Sequence, residues 1–563
     1  MKTLRLLLSI VVSMCLSSHI GLAENSPLDA LGGVEGLINS QQQPLLQKPD
    51  FSRDSADLRA LYQSNANQLL WFGQSRTQKN IDDLLVALSN AGADGLNPAN
   101  YDVDRLKQYA QQAATLSTMD NQQQLTGIDL AFSVVLLRFS HDLYQGQINP
   151  AEVNYPIDLA QKTPLDRVAL LKQQLDSQTL SDLPSLLEPK IKQYQQLKQA
   201  LSKLRQIPQA VDSVTLQISK PLRPGERHPQ LSQVRQRLSD MGELSQVYKG
   251  KADIYDEATV KAIKKFQQQQ GLKTDGILGS STAQLLMQSP AEKITQIELT
   301  MERLRWLPEV GQGPMIVVNI PAFQLWAFNS VEDAEPLNMK VVVGKSEQNQ
   351  TPMLWEEMKY LEFMPYWNIP KNIMDKEILP KLLANADYLA TQDMEIVHRQ
   401  AAGEQGNSNL IDDIKQGRVR ARQRPGKRNP LGRVKFIFPN KADVYMHDTP
   451  SRSAFSRDRR DLSHGCVRVS EPAKLAEFVL SSQEGWSKET IQQAMSGSKT
   501  QRVTLKKTVP VLFFYSTSFV DHTGQLRFYP DIYGQDAILQ KALNKPVSNQ
   551  EGIVVTKVAS NGG

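Results

Sequence analysis

Thiols are almost missing from this sequence, with only Cys15 and Cys466 among 563 residues. A disulfide-stapled scaffold is therefore excluded. Long apolar runs are scarce too. After Leu6 to Leu16, no stretch approaches the ~20 apolar residues that a membrane-spanning helix needs. A one-sided charge is lacking as well: the formal charge is +5, which carries no signature of nucleic-acid binding. A third side chain to complete a Cys and His metal site is not found near Cys466, and zinc wants three or four ligands, so no metal is expected.

What is present is ordinary globular material, 40% hydrophobic and 22% charged, on a chain long enough for roughly three to four domains. Lys2 and Arg5, the apolar run and the small residues ending Gly21-Leu22-Ala23 read as a secretory signal cut after Ala23. An uncleaved anchor is the alternative. Cys15 follows Met14, where a lipidation signal wants a small residue, so lipidation is set aside. Removal of the signal leaves 62 basic against 59 acidic side chains and a single thiol, Cys466. A lone cysteine in an oxidising compartment is either inert core or a reactive group, and its neighbours decide which.

The pattern along the chain is modular. Residues 24–50, rich in Gln, Gly, Asn and Pro, read as a flexible leader, and 51–220 as a helical scaffold. Apolar spacing near 3.6 marks Ile81 to Leu88, Leu130 to Leu143 and Leu197 to Ile207. Residues 221–290 form a compact unit in which Leu231, Val234 and Leu238 mark one short helix and Ala258, Ile263, Phe266 and Leu272 another. Gly271 is expected to end that second helix and Asp275-Gly276 to turn the chain. The pattern then changes to period two across 300–520, with Met315 to Ile320, Phe323 to Phe328, Lys340 to Val343, Lys359 to Phe363, Val434 to Phe438 and Val444 to His447 as strands. A long insertion at about 368–432, with helical signal at Lys376 to Ala390 and a glycine-rich run at Ala402 to Ser408, reads as a lid. Residues 521–563 read as a C-terminal helical segment and tail. The fold class is multidomain α+β with a mainly-β catalytic domain.

The chemistry concentrates in Tyr445-Met446-His447-Asp448 and, after a gap of fifteen residues following His447, Ser463-His464-Gly465-Cys466-Val467-Arg468. These hold the one mature thiol and two of the six histidines that follow residue 23. Strand alternation puts Tyr445 and His447 on one wall. An unperturbed thiol of pKa about 8.5 is only ~3% thiolate at neutral pH, so an imidazole is needed to take its proton or stabilise its anion. A drop of about two units, roughly 2.7 kcal/mol, would make the thiolate dominant. Gly465 leaves room beside the sulfur, and the N–H groups of Gly465 and Cys466 are candidates to meet a developing oxyanion. Spacing leaves two bases open, His447 and His464, since His464 would share the face of Cys466 in a regular strand.

These motifs resemble the YkuD-type L,D-transpeptidases, and Gly344-Lys345, Thr351-Pro352, Pro365 to Pro370, Asn429, Leu431-Gly432, Lys435-Phe436 and Asp531 to Gly534 are similar to its large YcbB-like branch. Thr259 to Gln267 with Asp275 to Gly279 resembles the three-helix peptidoglycan-binding module. The resemblance implies Cys466 as nucleophile, His447 as base and acid, the Asp448 carbonyl as its orienter and His464 as an auxiliary. It implies Tyr445 and Trp367 along the substrate groove and Arg468 beside a peptide carboxylate, with packing and a structural ion pair as the bland alternatives. The implied reaction cleaves before the terminal D-Ala of a tetrapeptide stem through a thioester and passes the acyl group to a neighbouring amine, giving a 3-3 cross-link. No cofactor is expected. The implied partners are donor and acceptor stems and other wall-synthesis enzymes, and a carbapenem is expected to add covalently. The implied location is the periplasm of a Gram-negative bacterium, with a membrane tether if the signal is retained. The competing readings are an L,D-carboxypeptidase, attachment of a lipoprotein to the wall, and a non-catalytic wall-binding scaffold. The serine enzymes that penicillin targets fit poorly, because no Ser-x-x-Lys followed by Lys-Thr-Gly is present.

Overall fold

The structure, a computed structural model, describes residues 33–545 apart from 73–77, 117–120, 154, 156–161, 207–215, 217, 219, 245–251, 271, 310, 331–332, 334, 348, 399–409 and 522. The signal reading, Gly271 and the run Ala402 to Ser408 lie outside these residues. Among the described residues no helix is long and apolar enough to cross a membrane.

The chain divides into two compact units. The first comprises residues up to 86, 99–138 and 167–180 and is helical. Its polar centre is Asp129, whose buried carboxylate accepts the Tyr62 hydroxyl at 2.5 Å and the N–H groups of Leu70, Trp71 and Phe72 at 3.0, 2.8 and 3.2 Å. These four donors reduce the cost of burying the carboxyl, although burial still pushes its pKa up. The flexible leader expected over 24–50 is corrected from residue 33 onward. Gly33–Ser40 is a helix and Leu37, Ile38 and Leu46 are buried, because a few well-spaced apolar residues outweigh the polar composition around them.

The second unit holds the remaining segments, 87–98, 139–166 and 181–563. Three short helices, Leu231–Asp240, Glu257–Gln269 and Ser280–Met287, make a small bundle. Asp256 caps the second by accepting from Thr259 N–H, and Gly276 turns with φ +72°. The helix Pro290–Arg305 follows from a Ser289–Glu292 capping box.

The C-terminal half is built on strands β1 (Met315–Asn319), β2 (Gln324–Phe328), β3 (Leu337–Gly344), β4 (Leu354–Phe363), β5 (Trp367–Asn368), β6 (Met394–His398), β7 (Val419–Gln423), β8 (Val434–Ile437), β9 (Met446–His447), β10 (Asp461–Ser463), β11 (Val467–Val469) and β12 (Gln501–Phe514). Nine of them form one sheet in the order β10-β3-β11-β9-β8-β4-β12-β1-β2, and a further pairing of β2 with β3 closes β3 through β2 into a ring, with β10 outside it. Helices Pro472–Leu480 and Lys488–Ser496, which period-two reasoning missed, fill the core with Leu475, Leu480 and Ile491. The strand expected from Val444 shortens to Met446–His447. Asn440 takes the backbone of Val444 instead, accepting its N–H at 3.2 Å and donating to its carbonyl at 2.7 Å. The insertion carries β5, β7 and β6 as a separate sheet over its own apolar cluster, which includes Ile369, Ile378, Leu382 and Ala421. Its helical stretch runs from Lys371 to Thr391 in four pieces, interrupted around Asn385.

Two fully buried arginines anchor helix Pro290–Arg305. Arg303 pairs with Asp536 at 2.5 Å and lies 5.4 Å from the rings of both Tyr155 and Tyr515, while Arg305 pairs with Glu302 at 3.0 Å. Loss of one partner strands the other charge in the core. Arg303→Met is therefore expected to lower stability by about 3–5 kcal/mol in denaturant unfolding; a change below about 1 kcal/mol would show that water reaches Asp536 readily.

Candidate active site

β9 and β11 run parallel, with Met446 opposite Val467 and His447 opposite Arg468. Met446 and Val467 are fully buried, so alternation sends Tyr445, His447, Cys466 and Arg468 to the other face. Lys435 joins them from β8, where it lies opposite His447. The strand register thus gathers a thiol, an imidazole, a phenol and two cations onto one surface.

The turn before Cys466 is fixed from below. Gly465 has φ +114°, a region that side-chain-bearing residues rarely adopt. Its carbonyl accepts from Thr351 Oγ1 at 2.7 Å, and Thr351 Oγ1 in turn accepts Gly344 N–H at 2.8 Å. The Tyr533 hydroxyl donates to Gly344 O at 2.6 Å. Sequence pieces as distant as Gly344, Thr351 and Asp531 to Gly534 therefore meet under one glycine. Gly344 itself has no room for a side chain, since a Cβ there would lie 1.9 Å from Asn349 O.

One expectation about this turn needs correction. Gly465 N–H donates to Ser463 Oγ at 3.2 Å and is not free for an oxyanion. Ser463 Oγ–H in turn donates to Cys466 O at 2.6 Å. Cys466 N–H has no hydrogen bond among the described residues. His464 is corrected too. The left-handed glycine breaks the strand alternation, and His464 points outward to Glu377 of the insertion, with Nε2 2.7 Å from Oε1.

His447 is buried, and its Nδ1 lies 2.5 Å from the Asp448 carbonyl. A carbonyl oxygen only accepts, so Nδ1 carries the proton and Nε2 presents its lone pair. Burial, then the charges of Arg468 and more weakly Lys435, pull the imidazole down to about 3 against the pull of that carbonyl. The ring is neutral at neutral pH. Asp448 also holds the loop: its carboxylate accepts Thr449 N–H at 2.6 Å, Arg433 N–H at 2.8 Å and Arg452 Nη2 at 2.6 Å. Gly432, with φ +61°, lies so close that a Cβ would come within 2.4 Å of that carboxyl.

Cys466 is half-buried. Burial pushes its thiol up, outweighing the N–H and hydroxyl of Tyr445 and the charge of Lys435, all of which favour the anion, while Asp443 adds to the rise. The large downward shift expected of a thiolate is therefore absent at rest. The Tyr445 ring lies 5.7 Å from His447, centroid to centroid, with Lys435 Nζ 3.8 Å from its own centroid. Arg468 Nε is buried with no hydrogen bond among the described residues.

Trp367 packs against the apolar cluster of the insertion and takes no part in these contacts. Of the arginines clustered in residues 418–424 and 457–460, Arg418 pairs with Asp413, Arg422 and Arg424 with Glu395, and Arg459 with Asp461. Arg460 is buried and donates to the carbonyls of Val341 and Phe323. Beside the site, a cleft of about 530 Å³ opens between the insertion and the sheet, lined by Lys345, Asn349, Asn372, Lys376, Glu377 and His464.

Residues 313–511 match the L,D-transpeptidase catalytic domain family YkuD, residues 56–201 a scaffold domain family and residues 227–286 a proposed peptidoglycan binding domain family. A Haemophilus influenzae protein whose name proposes an L,D-transpeptidase is 30% identical over 257 residues, which is 44% of this chain and 50% of that protein. The chain thus matches about half the length of that curated relative. A crystal structure of an L,D-transpeptidase fragment from Xylanimonas cellulosilytica is 15% identical over 53% of this chain and 100% of that one. Its TM-score of 0.16 is too low to support an argument about shape.

Because His447 is held neutral when folded and titrates near its usual 6.5 when unfolded, its contribution to stability is complete above pH 6.5. It is lost as pH falls from there toward about 3, where the unfolded chain binds the extra proton. Denaturant unfolding across that window should show wild type losing more stability than His447→Gln; parallel curves would mean that the ring already ionises in the fold.

Proposed function

We propose, for a chain that carries a YkuD-type L,D-transpeptidase catalytic domain beside a peptidoglycan-binding domain, that Cys466 cleaves tetrapeptide stems through a thioester and passes them to a neighbouring amine. The observation that carries this reading is the shared face of Cys466 and His447, set by the register of β9 with β11. A neutral thiol beside a neutral imidazole with a free Nε2 is a general-base pair.

The steps balance as follows. Cys466 attacks the carbonyl before the terminal D-Ala while its proton moves to His447 Nε2. The Cys466 N–H meets the oxyanion, an interaction worth a few kcal/mol when well placed. His447 then gives the proton to the departing D-Ala amine, leaving the thioester. The amine of a second stem, that of its third residue, attacks next and surrenders a proton to His447. Collapse of that intermediate forms the 3-3 bond, expels the sulfur and returns the proton to it. Arg468, with its unpartnered Nε, suits a stem carboxylate. The insertion, bonded to the motif through Glu377 and His464, serves as a lid that limits water at the thioester. An enzyme with these substrates would act at the wall, in a periplasm, alongside other wall-synthesis enzymes.

Incubation with disaccharide-tetrapeptide and mass analysis tests the reading. Dimers lacking one D-Ala are expected from wild type and none from Cys466→Ala. Tripeptides alone would replace transfer by L,D-carboxypeptidase trimming, and no product with no carbapenem adduct on Cys466 would leave a non-catalytic wall-binding protein. His447→Gln should lower the rate by about 10²–10⁴-fold. Glu377→Ala should raise the share of tripeptide over dimer, and an unchanged share would remove the insertion from water exclusion.

A further inference from the structure

We propose that Lys435 is a positioning residue for the nucleophile, holding Tyr445 against the Cys466 sulfur and supplying the positive charge beside which the thiolate forms. The inference rests on Cys466 being the nucleophile, but its test reads the sulfur directly.

The register of β9 with β11 places Tyr445 opposite Cys466, and its backbone N–H and its hydroxyl both favour the thiolate. Its main chain is fixed on the other side, where its carbonyl accepts Val467 N–H at 3.1 Å. Across its ring lies Lys435 Nζ, 3.8 Å from the centroid. A cation over a phenol ring is attracted to its face, more strongly as water is removed, and it favours a single ring orientation. Lys435, Tyr445 and Cys466 thus follow one another across the adjacent strands β8, β9 and β11, from a cation to the sulfur.

Lys435 is half-buried and makes no ion pair among the described residues, although Glu362 lies opposite it on β4. Burial pulls its ammonium down, while Glu362, Cys466 and Asp443 hold it up. A methionine would fill such a place without the desolvation cost, so the charge calls for a counter-charge that appears in use. An imidazolium cannot easily play that part. His447 is flanked in register by Lys435 and Arg468, and protonating it would put a third positive charge between two others. The developing thiolate therefore finds its counter-charge on the neighbouring strands, and His447 is left to move the proton.

The test is the rate of Cys466 alkylation by iodoacetamide as a function of pH on the full chain. The charged and titratable groups facing the sulfur and Lys435 are Tyr445, His447, Arg468, Asp443 and Glu362. Lys435→Met should raise the midpoint of the profile by about one pH unit and slow alkylation near neutrality roughly tenfold, with Lys435→Arg recovering most of it. Glu362→Gln, which leaves the lysine and removes its facing carboxylate, should move the midpoint the other way. Unmoved midpoints in Lys435→Met and Glu362→Gln would overturn the proposal, as would a Lys435→Arg protein as slow as Lys435→Met. The stem assay on wild type is separate: absence of transfer together with a charge-dependent alkylation profile would reject the transferase reading and leave the role of Lys435 at the sulfur standing.

Discussion

The parallel pairing of β9 with β11 is the constraint on which the site depends. Two residues of β9 and three of β11 suffice, because their alternate positions, Met446 and Val467, are locked in the core. A slip by one residue would exchange the faces, burying the imidazole's neighbours and exposing the apolar pair. Core packing on one side of the sheet thus sets the geometry of the chemistry on the other. The same logic reaches β8, where Phe436 is fully buried and pairs with Met446, so that Lys435 faces His447.

Burial and charge then act together on Cys466 and His447. Low polarity disfavours the thiolate and the imidazolium alike, so the pair rests uncharged, and the Asp448 carbonyl selects the tautomer able to accept a proton. Papain-like sites, with a pre-formed ion pair, illustrate the opposite arrangement. Here two cations on flanking strands make the positive ring the less favourable member, and the anion the more favourable one once a proton has somewhere to go. Structural charges elsewhere are handled differently. Arg303 and Asp536 meet directly at 2.5 Å, while Lys435 and Arg468 near the sulfur form no ion pair among the described residues.

Much of this was legible in the sequence, for identifiable reasons. Period-two apolar residues foretold β1, β2 and β8, and period 3.6 the helices around Ile81, Leu130 and Leu197. The motif residues that lie apart in the chain, such as Thr351 and Tyr533, could be noted as similar to a family but not explained until Gly344 and Gly465 brought them together. What stayed hidden depended on backbone conformation or on partners distant in the chain. The outward turn of His464 follows from the φ of Gly465, and the capture of Gly465 N–H follows from a serine only two residues away. Lys435 gave only a motif letter, since its relation to Tyr445 arises from a strand pairing. The helix at Pro472–Leu480 was overlooked because its surroundings read as sheet. The leader was misjudged by composition, which averages over Leu37 and Ile38.

The protonated resting state of Cys466 has a chemical consequence for a chain that would work outside the reducing cytoplasm. Peroxide and foreign disulfides attack the thiolate far more readily than the thiol. A sulfur kept neutral by its surroundings presents little to either oxidant. The same enclosure that slows its ionisation would then preserve it, allowing a single unpaired thiol to persist where most such groups would be capped or cross-linked.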